Sequence, residues 1–243
     1  MKRLNYIAAF YFGDRMNRLY SDALKKDRFY IFKTHLAALN KFHHGIDLVT
    51  FVFNLDHIQE AVTIKNTIET YDIKFGYELV FRHNKGASYG AWAQIILANL
   101  NEFEYFFINE DDYVPDCENF FQPFIDRCIG KYAYICMFNE AVPPPGMIDH
   151  ASNPIGIISA SACKQVLKNQ GQLFRVFDQA NTYELFYKTQ EMYCEFFVNE
   201  GFRVGNIIDN YCSPYMNSQT RNIKIFGDSS NPVLVKPIPL PVV

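Results

Sequence analysis

No stretch of the chain is both long and apolar enough to cross a bilayer, so no helical membrane anchor is expected. Nor is a signal peptide expected. Met1-Lys2-Arg3 runs straight into a short strand, without the apolar region and small-residue cleavage site of a signal peptide. Cations are not in excess: the formal charge is −3, whereas a general nucleic-acid binder needs a basic face to meet phosphates. The six cysteines (Cys117, Cys128, Cys136, Cys163, Cys194, Cys212) are scattered, with no CxxC pair and no His–Cys spacing suited to zinc. They read as reduced and mostly buried, in a reducing cytosol, either a cell's own or that of a virus-infected host. Repeats, low-complexity tracts and the phosphate loop GxxxxGK followed by Ser or Thr are missing too.

What the chain has in plenty is aromatic residues, 16% of its length, with much of the Tyr and Phe in expected strands. Its 49% hydrophobic and 20% charged content is that of an ordinary soluble globular protein. A length of 243 residues fits one large α/β domain or two small ones.

Strand and helix patterns alternate. Asn5 to Phe12 reads as a strand, broken by Gly13-Asp14, and Asp27 as the cap of a helix to about His43. Ile46 to Phe53 is a second strand, His57 to Tyr71 a helix (Ile58, Val62, Ile64, Ile68), and Phe75 to Arg82 a third strand. A helix to about Leu100 follows Gly90, then an apolar strand that ends in acids. Beyond these come a short helix from Asn119 to Cys128, a strand from Lys131 to Phe138, and an irregular loop at Pro143 to Gly146. Asn153 to Ser159 is a strand whose Ser159 or Ser161 caps the next helix, to about Asn169. Thr182 to Glu200 reads as a longer helix stopped by Gly201, and Phe202 to Ile208 as a last strand. This alternation predicts a parallel sheet covered by helices.

The acidic strand is the most informative stretch. Tyr105-Phe106-Phe107-Ile108-Asn109 suits a buried parallel strand, and it delivers Glu110-Asp111-Asp112 at its carboxyl end. Open α/β sheets bind ligands at that end. Three adjacent carboxylates repel one another, and a hard cation such as Mg²⁺ or Mn²⁺ removes that cost.

Ile108 through Phe121 resembles the EDD variant of the DXD motif in metal-dependent GT-A-fold glycosyltransferases, including the Pro115, Asp116 and Phe120-Phe121 that follow it. The resemblance implies the GT-A (nucleotide-diphospho-sugar transferase) fold, α/β with a mostly parallel central sheet flanked by helices. It also implies a divalent cation, Mn²⁺ or Mg²⁺, held first by Asp112 and then by Glu110. Glu110 and Asp111 would meet the ribose, metal-bound water or the sugar. Asn84-Lys85-Gly86, with Tyr89 and Gly90, opens a helix where backbone N–H groups favour anions; it is similar to the family's Asn-x-Gly, although Ala91-Trp92 stand where an Asn or Arg usually follows. Phe10, Tyr11 and Asn54 (or Asp56) resemble the family's uridine pocket. Gln190-Glu191, ahead of Gly201-Phe202-Arg203, resembles its catalytic acid pair, with Glu191 as base and Glu195, Asp178 and Asp149 as further acids. His150 is a candidate late metal ligand or acceptor contact, and Tyr211 and Tyr215 are candidates to close over the diphosphate.

The expected arrangement is a single domain over 1–216, with a nucleotide half to about 115 and an acceptor half to 216. An extended arm follows at 217–243. The expected reaction moves a sugar from a UDP-sugar to a glycan hydroxyl, with inversion. Two other readings stand beside it. One is a nucleotidyltransferase acting on a sugar phosphate, which usually carries a Gly-rich basic loop after strand one, where this chain has only Gly13. The other is a glycan- or nucleotide-binding module without catalysis.

Overall fold

The structure, a computed structural model, describes residues 1–13, 27–111, 113–115, 117–138, 153–176, 188–189, 192–206 and 224–225. In chain order these form β1 (Lys2–Phe12), α1 (Tyr30–Phe42), β2 (Leu48–Leu55), α2 (Ala61–Ile68) and β3 (Tyr77–His83). Next come α3 (Ala87–Asn99), β4 (Phe103–Glu110), β5 (Tyr113–Val114), α4 (Gln122–Arg127) and β6 (Tyr132–Phe138). The rest are β7 (Asn153–Ser159), α5 (Ala160–Gln170), α6 (Glu195–Asn199), β8 (Arg203–Asn206) and β9 (Lys224–Ile225).

Seven strands make one sheet in the order β3-β2-β1-β4-β7-β6-β8, and only β7 runs against its neighbours. It is the mostly parallel, helix-flanked α/β sheet expected of the GT-A layout. The chain winds outward from β1 to β3, then returns through α3 to place β4 on the other side of β1. The order reverses between β1 and β4, the place where open α/β sheets bind ligands at the strands' carboxyl ends.

Burial explains why these strands hold. Phe10, Phe51 and Phe53 lie on the face covered by α1, with the Phe32 ring 5.5, 5.1 and 5.7 Å from theirs. Each such ring removes about 150–250 Å² from water, and edge-to-face pairing adds about 0.5–1.5 kcal/mol. The opposite face carries Ile7, Val52 and Ile108 and is covered by α3, whose Trp92 and Ile96 are fully buried. Ser159 caps α5 as expected, accepting from the Ala162 N–H at 3.5 Å.

Three expectations change in detail. Val62 is 68% exposed, because the buried stripe of α2 is Ile64 and Ile68 and residue 62 lies most of half a turn away. Within 182–200 the described residues are helical at 188–189, at 192 and at Glu195–Asn199, with a turn at 193–194. Within the expected arm, Lys224–Ile225 forms a parallel pair with Tyr113–Val114, directly after the acids. Among the described residues no helix is long and apolar enough to cross a membrane.

Candidate functional site

β4 is sandwiched between β1 and β7, so its acids emerge at the point where the strand order reverses. Glu110 Oε1 accepts from Ser88 Oγ of α3 at 2.8 Å. Asp111 is only 5% exposed, and its Oδ2 accepts from the Tyr11 N–H at 3.3 Å. The two carboxylates therefore have different work: Glu110 lies against the helix that covers the site, and Asp111 ties the turn to β1. Asp112, the first-choice metal ligand, lies outside the described residues.

The backbone around the acids is held from below by side chains. Trp92 Nε1 donates to Asn109 O at 3.1 Å, and Asn109 Nδ2 reaches across the turn to Tyr113 O at 2.8 Å. The same amide donates to Tyr6 Oη at 2.6 Å. Tyr6 Oη lies 2.8 Å from His35 Nε2, and His35 Nδ1 lies 3.5 Å from Asp111 O. A carbonyl only accepts, so Tyr113 O requires the nitrogen of the Asn109 amide to face it. Tyr6 then receives from Asn109 and gives its own proton to His35 Nε2. His35 is thus the Nδ1–H tautomer, neutral, with its pKa pulled down to about 4 chiefly by burial.

A pH dependence follows. An unfolded His titrates near pH 6.5, so between about pH 6.5 and 4 the unfolded chain binds the proton that the folded chain refuses. Stability is therefore expected to fall by up to about 3 kcal/mol from pH 7 to pH 4 through this group. Urea unfolding at both pH values, with His35→Gln as comparison, measures the contribution.

The carboxyl ends of β1, β2 and β3 place Tyr11, Asn54 and Arg82 level with one another. Tyr11 is half-buried and its hydroxyl donates to Asp56 Oδ2 at 2.6 Å. Asn54 Oδ1 accepts from Arg82 Nη1 at 2.5 Å. Arg82 also donates to Gln94 Oε1 and to the carbonyls of Lys85 and Ala87. Every one of these partners is neutral, and burial lowers the guanidinium's pKa. Arg82 was not among the residues expected from sequence. The signal was a cation near the carboxyl end of a strand, which registers only once Asn54 is known to lie beside it. Phe10 is corrected: it is 1% exposed beneath α1 and has no face free for a base.

Asn84, Lys85 and Gly86 form the turn into α3, as expected. Gly86 has φ +72°, and a Cβ there would meet Val176 Cγ1 at 2.5 Å. A Cβ on Gly90 would sit 2.2 Å from Lys85 O, so the turn rests directly on the helix backbone. Asn84 Oδ1 is buried and has no hydrogen-bond partner among the described residues, while Lys85 is exposed. Tyr89 is corrected too. It is fully buried among Trp92 and Tyr193, their rings 5.2 and 5.1 Å away, and faces the core. Trp92, where the family pattern has a polar residue, braces β4 through Asn109. Gly90→Ala is expected to displace the Asn84–Gly86 turn and destabilise the protein by about 1–3 kcal/mol, the usual cost of overpacking. Denaturant unfolding checks this.

On the acceptor side, Glu195 is ion-paired with Arg175, which removes it as a free base. Glu191, Gln190, Asp149, His150, Asp178, Tyr211 and Tyr215 lie outside the described residues. The five described cysteines are not disulfide-bonded, and burial pushes the Cys128 thiol up to about 12.

Among the described residues no group of three or more His, Cys, Asp or Glu side chains is placed to hold a metal ion. Glu110 and Asp111 are both engaged by protein donors.

No family model matches the sequence, and no curated protein is significantly similar to it. Among solved structures, the chain is similar in layout to 4-diphosphocytidyl-2C-methyl-D-erythritol synthase from Anaerococcus prevotii DSM 20548. Identity is 13% and the TM-score 0.45, over 84% of this chain and 87% of that one.

Proposed function

We propose that the protein is a transferase acting on a nucleotide-linked substrate, with the diphosphate at the tip of β4. The observation that supports this most is the delivery of Glu110 and Asp111 at the carboxyl end of β4, beside β1, where the strand order reverses. Asp112, with Glu110 next to it, would hold Mn²⁺ or Mg²⁺, which when bound supplies charge neutralisation on the phosphates. Tyr11, Asn54 and Asp56 would meet the nucleoside, and Asn84 and Lys85 the phosphates or the sugar.

Two reactions fit this frame. In glycosyl transfer, an acceptor oxygen attacks the anomeric carbon, the bond to the nucleoside diphosphate breaks, and Glu191 takes the acceptor's proton. The resemblance of Ile108 through Phe121 to the EDD stretch supports it, with a UDP-sugar donor and a glycan acceptor. In nucleotidyl transfer, a sugar phosphate oxygen attacks the α-phosphorus of a nucleoside triphosphate and pyrophosphate leaves. The stretch after β1 carries Arg15, Arg18, Lys25 and Lys26 beside Asp14 and Asp22, charge that would suit a triphosphate, but with Gly13 as its one glycine it lacks the Gly-rich part of the loop usual for this second reaction.

Incubation with Mn²⁺ separates them. Release of UDP from a UDP-sugar supports glycosyl transfer, since many transferases slowly hydrolyse their own donor. Pyrophosphate released from CTP or UTP only when a sugar phosphate is added supports nucleotidyl transfer. If both are silent and nucleotides do not bind, the proposal fails and a glycan-binding module gains.

A further inference from the structure

We propose that Tyr6, His35 and Asn109 act together as positioning residues, fixing the backbone of the acidic turn so that it receives the diphosphate preformed. The proposal rests on the transferase reading above. Its ground is where the three side chains spend their hydrogen bonds. Asn109 Nδ2 closes the turn by reaching Tyr113 O at 2.8 Å, and Tyr6 Oη fixes the same amide at 2.6 Å. His35, joined to Tyr6, reaches Asp111 O at 3.5 Å from α1. The carbonyls on the two sides of residue 112 are thus each met by a buried side chain, and the two side chains are joined through one phenol.

Stability alone does not account for this set. Tyr6, His35 and Asn109 are each fully buried, in a region otherwise filled by Phe10, Phe107 and Phe120. Asn109 Oδ1 is buried with no partner among the described residues. A buried acceptor left unmade costs free energy that an apolar side chain of similar volume avoids. The polar set lies where polar groups cost most, and its side-chain bonds to backbone lead to the acidic turn. Preformed geometry of this kind is what a phosphate-binding turn requires, since ordering the turn at the moment of binding weakens affinity.

The test compares Tyr6→Phe with Ile68→Val, a core change in α2 outside the set. Amide hydrogen exchange is read at 110–114, and UDP affinity is measured with Mn²⁺ and with EDTA. In Tyr6→Phe, exchange of the turn is expected to rise about tenfold and the Mn²⁺-dependent part of UDP affinity to fall about tenfold, with affinity in EDTA unchanged. Ile68→Val is expected to lower Tm without either effect. Should Tyr6→Phe not fold, His35→Leu is expected to show the same two changes. Turn exchange that moves no more than in Ile68→Val overturns the proposal. If the unaltered protein has no Mn²⁺-dependent affinity for UDP, the transferase reading fails separately, and the exchange comparison still decides whether the set holds the turn.

Discussion

Asp112→Ala is expected to lower turnover by about a thousandfold, or ~4 kcal/mol in transition-state stabilisation, the upper range for loss of one electrostatic contact to developing charge. Glu110 is bonded to Ser88 and Asp111 to the Tyr11 N–H, so each carboxylate already has a protein donor to satisfy and is a poor substitute for the acid at position 112. On the proposed function, removing that acid would leave the cation with one fewer carboxylate and the diphosphate with its charge less well met. The loss should appear in UDP affinity measured with Mn²⁺ and be absent in EDTA. Asp112→Asn, which keeps shape and removes charge, is expected to behave like Asp112→Ala. Asp72→Ala, an exposed acid far along the chain, is expected to change nothing measurable. Equal nucleotide affinity in Asp112→Ala and the unaltered protein would sink the metal assignment.

The second large effect belongs to Glu191 and depends on which bond is made. If a neutral hydroxyl is the acceptor, its proton needs a base, and Glu191→Gln is expected to lower turnover by about 10²–10⁴-fold. Donor affinity should stay within about twofold, because the amide fills the same space without accepting the proton. If a sugar phosphate is the acceptor, it is already largely deprotonated at pH 7, its second pKa being about 6. No base is required, and Glu191→Gln is then expected to leave turnover unchanged. The variant therefore sorts the two reactions as well as testing one residue. Glu195→Gln is a useful neighbour: its carboxylate pairs with Arg175, so the change should lower stability without reshaping the pH–rate profile.

The sheet was legible because its strands announce themselves. Runs such as Leu48–Leu55 and Phe103–Ile108 are too apolar to lie anywhere but in a covered sheet, and the acids after Asn109 mark its carboxyl end. Ser159 was legible as a cap because its side chain acts only three residues away. What sequence spacing could not settle was which face of β1 meets the ligand end. Alternation separates Phe10 from Tyr11, but only the packing of α1 assigns Phe10 to the core. Tyr89 shows the same limit: its helical spacing to Trp92 and Ile96 marks a buried stripe, which proximity to Gly90 obscured. Arg82 and the Tyr6–His35–Asn109 set depend on contacts between residues far apart in the chain, 103 positions in the case of Tyr6 and Asn109. No local pattern carries such pairings.

The proposed function requires a nucleotide diphosphate and a divalent cation to meet beside β4. Calorimetric titration of UDP into the unaltered protein, once with Mn²⁺ and once with EDTA, tests this most directly. Saturable binding at one site that weakens at least tenfold when the metal is withheld is the expected result. No heat in either titration, or the same affinity in both, would contradict it.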